Sequence, residues 1–84
     1  MVIFTKHALD KFTVLKKHEI LVSKNIVIKA VTKPDTIDHS RSPLLIGQVR
    51  FDKSHVLRVV YKKEGGNKKI ITFYPGRKTQ YEKK

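Results

Sequence analysis

Cysteine is absent from this 84-residue chain. Its absence removes disulfides, thiolate metal sites and cysteine nucleophiles together. Other absences narrow the chemistry further. The four histidines, His7, His18, His39 and His55, show no i, i+4 pairing of the zinc-protease kind. Gly65-Gly66 is not followed by Lys-Ser/Thr and a helix, so it is no P-loop. No defensible Ser-His-Asp order stands out for nucleophilic catalysis. No apolar run approaches the roughly 18 residues of a spanning helix, and the opening MVIFTKHALDKF lacks a signal-peptide pattern. The expectation is a cytoplasmic protein with no cofactor, no metal and no membrane partner. Eighty-four residues suit one domain with a thin core, since a chain this short buries only about 60% of its unfolded surface.

Acids are also few: seven Asp and Glu face nineteen Lys and Arg, a formal net charge of +12. A charge this large attracts polyanions. Fifteen of the nineteen cations are lysine, which alone would describe a solvated surface. Their distribution says more. Residues 1–43 carry eight cations and four acids, whereas residues 44–84 carry eleven and three. The second half is where an anion is expected to dock, and nucleic acid or an acidic protein is the expected partner.

Val2-Ile3-Phe4 is a short strand candidate. Thr5 then has the chemistry of a helix N-cap, with Ala8, Leu9, Phe12 and Leu15 at helical spacing. Phe4 and Leu9 occupy hydrophobic-staple positions around it. Ser23 offers a second N-cap before Ile26, Val27, Ala30 and Val31, and Pro34 ends that helix. Residues 35–43 are turn-prone, with a short strand expected near Thr36–Asp38. LLIGQVRF, HVLRVVYKK and KKIITFYP follow as strand-like runs joined by hairpin loops. The expected fold is α+β: two N-terminal helices packed on one face of a twisted antiparallel sheet of three to four strands.

Strand alternation assigns faces. Leu45, Val49, Phe51, Leu57, Val59, Tyr61, Ile71 and Phe73 are expected to meet the helices. Arg50, Arg58, Thr72 and Tyr74 are expected on the opposite face. Pro75-Gly76 is expected to turn Arg77 and Tyr81 toward the same face. Three of the chain's four arginines thus gather in one predicted cluster, and the planar guanidinium fork suits phosphate better than lysine does. Cofactor-free RNA cleavage through the 2′-hydroxyl needs a base, cations for the pentavalent phosphate and an acid. His7 is a candidate base or acid, and Tyr74 and Tyr81 are candidates for stacking or proton donation.

FTKHALDKF, VTKPDTID and VLRVVYKKEGGNKKIITFYPGR add a resemblance. They look like a small domain-of-unknown-function family with a "KHA" helix start, a helix ending in "Pd" and a closing "iiTfYP" hairpin. That family is similar to the BrnT-type and RelE/ParE-like toxins of toxin–antitoxin pairs. The resemblance spans nearly the whole chain and implies an mRNA interferase held in check by an acidic antitoxin. Carried over by position, it implies catalytic roles for His7, Arg58 and Tyr74. It also implies RNA or phosphate contacts for Arg77 and Tyr81, to which the basic strand and tail add Arg50 and Lys78. Two other readings remain open at this point: a non-catalytic module that binds nucleic acid or an acidic protein, and a gyrase-directed poison.

Overall fold

A computed structural model describes residues 1–81. The elements run β1 (Val2–Phe4), α1 (Lys6–Lys17), α2 (Lys24–Thr32), β2 (Thr36–Asp38), β3 (Leu45–Arg50), β4 (His55–Glu64), β5 (Asn67–Arg77) and α3 (Lys78–Tyr81). Both expected N-caps form. The Thr5 side chain accepts from the Ala8 N–H at 3.2 Å, and the Ser23 side chain accepts from the Ile26 N–H at 3.3 Å. In place of the expected staple between Phe4 and Leu9, Leu9 is 43% exposed and Phe4 packs against Phe12, ring centroids 6.0 Å apart.

The fold is α+β, but the sheet differs from the expected three- to four-stranded antiparallel one. It has five strands in the order β1-β5-β4-β3-β2, and β1 runs parallel to β5. The added parallel edge has a local cause. Thr5 lies between β1 and α1, and both its N–H (3.1 Å) and its hydroxyl (2.9 Å) donate to the Ile70 carbonyl. One residue therefore caps the helix and sews the N-terminal strand to β5.

β4 and β5 form the longest ladder, closed by Gly65-Gly66 at φ 54° and 84°. Two successive positive φ values are what a tight two-residue hairpin turn requires, and glycine adopts them without strain. A bulge then interrupts the ladder: Val60 pairs Thr72 but Tyr61 pairs Ile70, leaving Ile71 unopposed. This overturns the simple alternation expected for 70–74. Ile70 is fully buried in the core, and Ile71 instead lines a groove on the other face.

The core lies between the helices and one sheet face. Ala8, Leu15, Val27, Ala30 and Val31 from the helices meet Val49, Leu57, Val59, Tyr61, Ile70 and Phe73 from the sheet. Phe12 packs on Phe73 in a tilted pair, 4.6 Å between centroids. Gly47 lets α2 come down onto β3, since a Cβ there would run into the Ala30 carbonyl oxygen. No helix of the described residues is long and apolar enough to cross a membrane.

Candidate functional site

The face of the sheet away from α1 and α2 carries the Gln48–Arg58–Tyr74 row, which the register places side by side across β3, β4 and β5. The Arg58 guanidinium is fully engaged there. Nη1 donates to Gln48 Oε1 at 2.6 Å, Nη2 to Asp38 Oδ2 at 2.8 Å, and Nε to Tyr74 Oη at 3.2 Å. The Tyr81 ring covers its remaining face, 4.1 Å from Cζ to the centroid. Arg58 is only 6% exposed. Burial pulls its pKa down, and the bonds to Tyr74 and Asp38 more than offset that, holding the guanidinium charged. On the partner side, the Ser40 hydroxyl and N–H, followed by Arg58, hold Asp38 down to about 2. The cluster is a satisfied polar belt and presents no free guanidinium fork to a phosphate.

β5 does not turn at Pro75-Gly76, contrary to the expectation from sequence. It continues in register to Arg77, which pairs His55. Proline is tolerated there because β1 covers β5 only as far as Ile70, so the other side of the strand is an unpaired edge. Because the strand runs on unbroken, Arg77, three residues beyond Tyr74, faces the opposite way. Alternation puts Gly76 on the Arg58 face and Arg77 on the helix side, beside His55. The chain then wraps round the sheet end, the Lys78 N–H donating to the Ser54 carbonyl at 2.8 Å. α3 brings Tyr81 back over Gly76, where any Cβ would strike its ring.

The seven site residues expected from sequence therefore separate into groups. Arg58, Tyr74 and Tyr81 come together, but as a closed cluster. Arg77 and Lys78 line a cleft of about 430 Å³ with Lys53, Ser54, His55 and Thr79. Arg50 is exposed at the same end of the sheet, opposite Val56 in the ladder, and its N–H donates to Asp35 Oδ2. His7 is exposed in the first turn of α1, in the layer that covers the opposite sheet face, so the fold does not join it to Arg58 and Tyr74.

His55 and Asp52 are the residues that sequence reasoning passed over. Asp52 Oδ1 accepts from the Ser54 N–H at 2.9 Å, the His55 N–H at 2.7 Å and His55 Nδ1 at 3.0 Å. Ser54 Oγ also sits 3.0 Å from that nitrogen. The Ser54 N–H, more than the His55 contacts, lowers the Asp52 carboxyl below its ordinary range, so it is an anion beside the imidazole. The available signal was the D-x-S-H string in a hairpin loop, where an Asp side chain turns back on the backbone two residues on. Searching histidines by their sequence spacing could not find it.

A second hollow, about 220 Å³, shares His55 with the cleft and is otherwise lined by Glu19, Ile20, Leu21, Phe51, Asp52 and Pro75. Among the described residues, no group of three or more His, Asp or Glu is placed to hold a metal ion. No protein-family model matches the chain, and no curated protein or solved structure matches it either.

Proposed function

We propose that this chain is a toxin-like protein that binds and cleaves RNA, and that an acidic antitoxin neutralises it in the cytoplasm. The observation that carries the reading is the cationic end of the sheet. Lys53, Arg77 and Lys78 line one cleft with His55, and Arg50 is exposed at the same end of the sheet. Cations of this kind hold a phosphodiester and stabilise the charge that builds on it during in-line attack by the 2′-hydroxyl. The net charge of +12 supports both polyanion capture and an acidic protein partner. The resemblance to RelE- and BrnT-like toxins points the same way, although the machinery it implied at Arg58 is shifted here to the sheet end.

The test is incubation of pure protein with messenger RNA, alone and on ribosomes. Cleavage to fragments ending in a 2′,3′-cyclic phosphate is expected, weakened by Arg77→Ala and blocked by a co-expressed acidic antitoxin. Intact RNA under all these conditions would refute the cleavage reading. The engaged state of Arg58 favours a second reading, a binding module without turnover. In that case affinity falls steeply with salt as phosphate counterions are released, and no fragment appears.

A further inference from the structure

We infer that His55 is the catalytic base of this protein, held by Asp52 between a cleft for the RNA phosphate and an apolar hollow for the neighbouring nucleobase. The inference rests on the RNA-cleaving reading above and assigns its chemistry to residues that neither the sequence motifs nor the resemblance singled out.

Three observations converge on His55. The first is its orientation. An ionised Asp52 accepts at 3.0 Å from Nδ1, which fixes the proton on that nitrogen and leaves the Nε2 lone pair for chemistry. The Ser54 hydroxyl contacts the same Nδ1 and not Nε2, so the three residues form no serine-nucleophile relay. The second is its position. His55 lines both the cationic cleft and the hollow, which is walled by Ile20, Leu21, Phe51 and Pro75 together with the acids Glu19 and Asp52. A nucleotide is built the same way, with a charged phosphate at one end and a flat apolar base at the other. A base resting on Phe51 and Pro75 would set its ribose beside the imidazole. The third is access. The His55 side chain is 41% exposed and the Asp52 side chain 51%, so neither is sealed as Arg58 is.

The charged groups around the imidazole come from every neighbouring element. Asp52 and Lys53 belong to its own loop, Arg77 to β5, Lys78 to the start of α3, and Glu19 to the turn after α1. The cations outnumber the acids, which suits a site that holds a phosphate.

The reaction follows from that arrangement. His55 Nε2 takes the proton of the ribose 2′-hydroxyl, and the 2′-oxygen forms a bond to phosphorus. The bond from phosphorus to the 5′-oxygen breaks, and that oxygen takes a proton from water. The imidazolium returns its proton to the hydroxide left behind. The products are a 2′,3′-cyclic phosphate and a 5′-hydroxyl, and no oxidant or reductant is needed.

The experiment compares wild type, His55→Gln and Asp52→Asn on a fluorescent single-stranded RNA, measuring cleavage and affinity separately. His55→Gln is expected to lose roughly 100-fold or more in cleavage rate, in line with a general base, with affinity changed less than about threefold. Asp52→Asn is expected to lose a smaller factor and to alter the imidazole tautomer, read from its ¹⁵N shifts. In wild type those shifts should show the proton on Nδ1 and change when adenosine 2′-monophosphate is added. Cleavage unchanged in His55→Gln would overturn the assignment while leaving RNA cleavage standing. A proton on Nε2 in the wild-type ¹⁵N spectrum would also overturn it. Wild type that binds RNA without cutting it would overturn both.

Discussion

The guanidinium of Arg58 lies against Tyr81, its Cζ 4.1 Å from the ring centroid, while its nitrogens bond Asp38, Gln48 and Tyr74. These partners come from β2, β3, β5 and α3, so one side chain of β4 ties together four other elements of the fold. An arginine placed mid-strand among valines has the sequence appearance of a binding residue. Here its contacts are internal, and its role is to hold the far face of the sheet together.

Replacing Arg58 is therefore expected to act on stability. Arg58→Met keeps much of the stem but leaves Asp38 with Ser40 alone and the Gln48 carbonyl oxygen without its donor. Because the Asp38 side chain is still 35% exposed, breaking this pair costs less than a fully buried one, about 2 kcal/mol. Exposed Arg50→Ala should stay within about 0.5 kcal/mol of wild type. Urea unfolding followed by circular dichroism distinguishes them. Equal midpoints for the two variants would show that the Arg58 belt contributes nothing to the fold.

Asp38 gives the same belt an acid signature. Its carboxyl is held at about 2 against an ordinary 3.8, chiefly by Ser40 and then by Arg58. A folded-state pKa below the unfolded one contributes stability that is complete above about pH 4 and disappears as pH falls toward 2. Wild type should lose stability across that window, and Asp38→Asn should be weaker at neutral pH but flatter on acidification. Parallel pH–stability curves for the two proteins below pH 4 would contradict this.

How far the fold could be read from sequence depended on whether the signal was local. The caps at Thr5 and Ser23, the Gly65-Gly66 turn and the short strands at Val2–Phe4 and Thr36–Asp38 all rest on neighbours in the chain, and all were legible. The parallel pairing of β1 with β5 depends on Thr5 meeting Ile70, a contact across 65 positions that no pattern announces. The bulge at Ile71 and the continuation of β5 through Pro75 shifted side chains between faces. Running β5 straight on through Pro75 and Gly76, where a turn was expected, was enough to separate Arg77 from Arg58. The cleft at His55 was invisible for a related reason: it joins a hairpin loop to the end of a strand that sequence cut short.

Glu19 offers a gain in stability. It follows α1 at φ 62°, in a left-handed conformation usually filled by glycine. The Glu19 N–H donates to the Lys16 carbonyl and the Ile20 N–H to the Leu15 carbonyl, both at 2.9 Å, so two carbonyls of the helix end are bonded while its backbone is strained. Glu19→Gly should relieve that strain and stabilise the fold by roughly 0.5–1 kcal/mol, net of the extra freedom glycine gives the unfolded chain. A rise in Tm measures it. A fall would mean that contacts of the Glu19 side chain outweigh its backbone strain.

Gly47 should tolerate no side chain at all. A Cβ built there meets the carbonyl oxygen and carbon of Ala30, and the Tyr61 ring at 3.5 Å. The first obstacle is helix backbone, which cannot rotate away as a side-chain tip can. Ala30 and Tyr61 are both buried in the core, so α2 would have to lift off β3 and open the packing around Val27 and Val31. Overpacking of this kind costs about 1–3 kcal/mol where side chains alone must move. Gly47→Ala is therefore expected at or above the upper end, near 3 kcal/mol, with the loss spread over α2. Hydrogen exchange resolves that distribution. Faster exchange confined to α2 and β3 is the expected result, whereas unchanged exchange and an unchanged midpoint would show that α2 does not rest on Gly47 in solution.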